Sequence, residues 1–144
     1  MRWKLLGIVP IVNESGEDVS RSAVERMLLE AVWLPSALLG SGVTWEEKSN
    51  GNLLVGTMLR GRYENFELSL DGNGGIRSVS TLRWGNPEDR GYGALQFGGV
   101  VEDESTFGGF KVPSKLRIGW YFGTGRFEPE GEFFRCIIDD AVYH

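Results

Sequence analysis

The sequence predicts an α+β domain: a curved, mostly antiparallel sheet of about seven or eight strands, a half-barrel or open barrel packed on one proline-kinked helix. Three observations carry this expectation. A single stretch near the start repeats its apolar residues at helical spacing. The remainder alternates in short segments separated by glycine-rich turns. Glycine pairs interrupt two of the apolar segments, as a strongly bent sheet requires.

The first residues, Met1 to Val12, place Arg2 and Lys4 before an apolar run. Pro10 interrupts that run and no small-residue cleavage site follows, so the segment is read as a buried strand and not as an export signal. Asp18 or Ser20 is the expected helix cap. From there Ala23, Val24, Met27, Leu28, Ala31, Leu34 and Leu38 form an apolar stripe. Arg21 with Glu25, and Arg26 with Glu30, are i,i+4 pairs expected on its outer flanks. Pro35 lacks a backbone N–H and should kink the helix before Gly40 ends it.

Strands are expected over residues 43–49, 52–60, 63–70, 76–84, 92–102, 107–120 and 132–142. Asn50-Gly51 reads as a type I′ hairpin turn, because both residue types tolerate positive φ. A second turn falls near Gly61, and residues 71–75 form a looser loop. Gly98-Gly99 suggests a bulge or tight bend, and Gly108-Gly109 is a second pair placed inside a strand. Most connections are hairpin length, so sequence neighbours should be sheet neighbours.

Size and charge bound the function. The 144 residues suit one domain, expected to span 1–144. Hydrophobic residues at 41% and charged residues at 24% argue against disorder. A net charge of −5 with mixed signs offers no basic footprint for nucleic acid. No segment is long and apolar enough to span a membrane, and as written the chain reads as cytoplasmic. Cys136 is the single cysteine and His144 the single histidine, at the chain end. Clusters of the His/Cys metal type and His-dependent triads therefore have no material, and neither a cofactor, a metal nor a catalytic residue is expected.

The most informative side chains are the aromatics Trp33, Trp45, Trp84, Phe97, Trp120 and Phe122. They are candidates for lining an apolar site between helix and sheet. Plain core packing is the competing reading, since aromatics supply large buried areas. Glu30, beside Trp33, and Arg117 are the candidate polar anchors. A desolvated Glu30 would suit a general acid or base, and an ion pair with Arg26 or Arg117 explains it equally. Asp139-Asp140 would point to opposite faces of a strand and cannot share one substrate. None of the glycine motifs opens a helix after a strand, so phosphate binding has little support. Cys136, sharing a face with Phe134 and Ile138, reads as an inert buried thiol.

Several motifs together resemble a family of uncharacterised bacterial domains of unknown function: residues 3–16, the Glu30–Leu39 helix segment with Trp33 and Pro35, and Arg83-Trp-Gly-Asn-Pro87. Phe107-Gly-Gly109 with Pro113, Gly119-Trp120-Tyr-Phe-Gly123 and Gly131-Glu-Phe-Phe134 extend the resemblance over nearly the whole chain. That family is often longer at the N-terminus, which implies that this chain begins within the first shared strand region. A more distant resemblance, of fold type alone, is to LolA-like lipoprotein-carrier half-barrels, which hold acyl chains between a curved sheet and a helical lid. The resemblance implies a non-enzymatic domain holding an apolar small molecule or lipid. A homodimeric interaction module with a packed core, and a Glu30-dependent hydrolase, are the alternatives.

Overall fold

A computed structural model describes residues 4–5, 9–10 and 17–143. The expected cap at Asp18 or Ser20 is displaced: α1 (Glu17–Leu29) starts earlier, and both residues lie in its first turns. Residues 1–12, which the sequence assigns to a strand, contribute a two-stranded ribbon of β1 (Lys4–Leu5) and β2 (Val9–Pro10). The rest of that expected strand lies outside the described residues.

The proline behaves as its chemistry demands. The chain tightens into a 3₁₀ turn over Glu30–Trp33, breaks at Leu34 (φ −124°, ψ 71°) and restarts as α2 (Pro35–Leu38). Leu34 leaves the helical region because the following pyrrolidine ring crowds it. Pro35 then takes the first helical position, where a missing N–H costs nothing.

Seven strands follow in one open antiparallel sheet, each beside its neighbour in sequence: β3 (Val43–Glu47), β4 (Leu53–Leu59), β5 (Arg62–Leu70), β6 (Ile76–Gly85), β7 (Gly93–Phe107), β8 (Phe110–Trp120) and β9 (Glu132–Ile137). β3 and β9 are the two edges, so the sheet does not close into a barrel. No helix among the described residues is long and apolar enough to cross a membrane.

The turns refine the sequence reading. At 48–52 Asn50 does not take positive φ. Lys48 N–H donates to Asn52 O, Gly51 N–H donates to Lys48 O, and Gly51 alone is left-handed at φ 81°. This is a three-residue loop, a type I turn closed by a glycine bulge, in place of the expected type I′ turn. Residues 71–75 repeat the scheme with Gly74 at φ 81°. The two-residue I′ turn falls instead at Arg60-Gly61, with φ 51° and 79°. Gly108-Gly109, expected inside a strand, is another such turn: φ is 55° and 88°, and Phe107 pairs with Phe110 across it.

Gly98 and Gly99 lie in regular pairing, and the bulges of β7 fall between Val101 and Glu104. Those glycines serve packing. A Cβ on Gly98 would sit 2.5 Å from Val79 O and 2.8 Å from the Phe122 ring.

The core lies on one face of the sheet, where Leu28, Leu29 and Val32 pack on Val55, Phe66, Leu68, Val79 and Phe97. Cross-strand pairs Val55–Phe66 and Leu68–Val79 hold these side chains side by side. Complete burial of Phe66 and Phe97 is worth roughly 2–3 kcal/mol each.

Candidate functional site

The sheet splits between β5 and β6, and the site grows from that split. Pairing of these strands runs only from Glu67–Ser80 to Leu70–Ile76. Below it β5 continues against β4, and residues 81–85 of β6 continue against β7. The freed edge of β6 would leave a backbone donor unpaired. Helix α1 fills the gap: the Glu25 carboxylate accepts the Trp84 backbone N–H, Arg83 Nε donates to Ser22 O at 3.2 Å, and Trp84 Nε1 donates to Asp18 Oδ1 at 2.7 Å. Arg21 pairs with Glu25 at 3.0 Å and lies over the Trp84 ring, 4.3 Å from its centroid. Glu25 is therefore buried, at 3% exposure, where the i,i+4 pattern places it on an outer flank.

Alternation along β6 puts Arg83 on the same face as Val79 and Thr81, opposite Leu95 and diagonal to Phe97. Its guanidinium carbon lies 4.4 Å from the Phe97 centroid and 4.9 Å from that of Trp120. These rings meet edge to face at 4.9 Å, and Phe133 joins Phe97 at 6.1 Å. Phe97 is buried, Trp120 half-buried and Phe133 59% exposed. The Trp120 indole reaches across to Gly85, where a Cβ would stand 2.1 Å from the ring. Burial pulls the Arg83 pKa down to about 10, with Arg26 adding to the effect and Glu25 and Glu30 opposing it. The group stays cationic at neutral pH.

Phe97 and Trp120, of the six expected aromatics, thus meet on the helix-side face. Trp33 is half-buried against the same core, its Nε1 donating to Pro113 O at 2.9 Å, which ties the 3₁₀ turn to β8. Trp45 lies on edge strand β3, 46% exposed, and donates to Leu38 O. Trp84 holds the start of α1. Phe122 belongs to the opposite face: it packs at 5.5 Å on Phe127 and lines a groove of about 350 Å³ with Val100, Gly123 and Thr124.

Neither expected polar anchor joins the aromatic cluster. Glu30 is paired with Arg26 at 3.0 Å and its side chain is 45% exposed, so it lacks the desolvated setting on which a general acid–base role depends. Arg117 faces the other side of the sheet, opposite Val100 and Arg135. There Glu102, Glu128 and Glu132 surround it at 2.9, 3.1 and 3.0 Å. Its Nε sits at ion-pair distance from Glu102 but is misaligned for a hydrogen bond. Its hydrogen bonds to Glu128 and Glu132 raise its pKa against the desolvation that opposes them. Among the described residues no three His, Cys, Asp or Glu converge as metal ligands.

Glu25, Arg83, Gly85 and Phe133 carry the site's geometry and were not among the expected site residues. Parity with Val79 was the available signal for Arg83.

A family described as one of unknown function, DUF6920, matches residues 1–143. The chain belongs to that family. No curated protein and no solved structure matches this DUF6920 chain.

Proposed function

We propose that this DUF6920 domain is a non-enzymatic binding domain that holds an apolar, lipid-like ligand on the helix-side face of its sheet. One observation carries the reading. Phe133, 59% exposed, packs on the buried Phe97 beside the half-buried Trp120, so an apolar ligand seated there would extend the core outward.

Two substitutions test it, with the naphthylamine dye N-phenyl-1-naphthylamine as a neutral apolar probe. Trp120→Ala should weaken dye binding more than it lowers stability. Phe133→Ala should weaken dye binding several-fold with little change in melting temperature, since an exposed ring contributes little to folding. Unchanged dye binding in Phe133→Ala, or parallel loss of binding and stability in Trp120→Ala, would sink the reading.

A second reading has its own observation. Edge strand β9 exposes Phe133, Phe134 and Ile137, whereas the other edge carries the charged Glu46 and Glu47. An apolar open edge invites pairing with a second copy of the chain. Sedimentation velocity on the wild type and Ile137→Lys separates the two: a dimer abolished by lysine supports the edge reading, and a monomer at all concentrations removes it.

A further inference from the structure

We propose that Arg83 is the head-group anchor of this site, and that its ligand is a single-chain amphiphile bearing a carboxylate. The inference rests on the binding-domain reading above and names the ligand's polar end.

Arg83 makes no ion pair among the described residues. Arg21, Arg26 and Arg83 gather where α1 meets β6, together with the carboxylates of Asp18, Glu25 and Glu30. All three carboxylates are occupied. Asp18 takes the Trp84 Nε1–H, Glu25 takes Arg21 and the Trp84 N–H, and Glu30 takes Arg26. Arg83 is left with a single hydrogen bond among the described residues, from Nε to Ser22 O. The outer fork of a guanidinium is the part that matches a carboxylate in two parallel bonds, and here both outer nitrogens remain unspent.

Position turns that surplus into recognition. The Arg83 guanidinium lies beside the rings of Phe97 and Trp120, and Phe97 leads on to Phe133. Contact with two rings set edge to face confines the guanidinium, so little side-chain freedom is lost when it closes on an anion. An anion bound at the fork would place an attached acyl chain directly on the aromatic surface. A neutral apolar ligand uses the rings and leaves the cation unpaired, and a cationic one is repelled. Burial lowers the local dielectric and strengthens the discrimination.

The test is calorimetric titration with three ten-carbon probes below their micelle concentrations: decanoate, decanol and decyltrimethylammonium. Wild-type protein should bind decanoate at least about tenfold more tightly than decanol, and the ammonium most weakly. Equal affinity for decanoate and decanol, or preference for the ammonium, would overturn the anchor while leaving the apolar site standing. Failure of all three to bind would overturn the binding-domain reading itself. Arg83→Met keeps an unbranched apolar stem on the rings. It should erase the preference for decanoate with decanol affinity unchanged, whereas a variant that keeps the preference contradicts the assignment. The head-group series on unaltered protein decides the matter even should Arg83→Met fail to fold.

Discussion

The Glu25 carboxylate accepts the backbone N–H of Trp84 at the point where β6 outruns its pairing with β5. A helix side chain thereby completes a strand, and the same carboxylate holds Arg21 over the Trp84 ring. Glu25→Ala should cost about 2–4 kcal/mol, because it leaves a buried donor without an acceptor and a cation without its partner. Glu25→Gln keeps an oxygen acceptor and should cost less than half as much. Urea denaturation of the two variants measures the difference, and equal losses would show that the Trp84 bond is not what Glu25 contributes.

Gly85 is required by the Trp120 indole that lies against it. Gly85→Ala should destabilise by about 1–3 kcal/mol through overpacking, and Trp120→Phe in that background should recover part of the loss. Thermal melts of the single and double variants form the cycle that detects the coupling. Strict additivity would contradict the contact.

Arg60 occupies the left-handed region at φ 51° in a two-residue turn with Gly61. Asparagine takes this conformation more readily than arginine. Arg60→Asn should therefore raise stability by about 0.5–1 kcal/mol. A neutral or destabilising result would mean that the arginine side chain supports the tip in some further way.

Folding lowers the pKa of two hairpin carboxylates. Glu67 is held down by its bond from Lys48, then Asn52, from an ordinary value of 4.5. Asp71 is held down by the N–H groups of Gly75 and Asn73, from 3.8. With folded values below unfolded ones, their stabilising contribution is full above pH 4.5 and is lost as pH falls through the folded values. Stability measured between pH 6 and pH 3 should drop at the acid end. The combination Glu67→Gln with Asp71→Asn should flatten that slope while keeping the acceptor oxygens.

These relationships differ in how far the sequence discloses them. The seven-strand order and the proline break were legible because each follows from local rules: alternation, glycine at the turns, a pyrrolidine ring before Leu38. Turn types were less legible. Asn50-Gly51 has the residues of a type I′ turn, yet the longer connection from Lys48 to Asn52 selects a three-residue loop. The split between β5 and β6 depends on how far two strands run past each other, which no local pattern records. Glu25 was misread for that reason: an i,i+4 partner marks a solvated flank unless a neighbouring strand lacks an acceptor. For the site, Phe97 and Trp120 were visible as aromatics, but which side of the sheet each residue faces depends on register. Register sends Arg117 to the far side and brings Arg83 onto the rings, whereas Phe122 lies beyond the end of β8 and follows the left-handed Tyr121.

The most direct test of the binding-domain account is native mass spectrometry of protein purified without detergent, before and after organic extraction. The account predicts an extractable adduct of lipid-like mass, or a one-to-one adduct formed when decanoate is added to the extracted protein. A mass equal to the bare chain in both states, unchanged by decanoate, would contradict it.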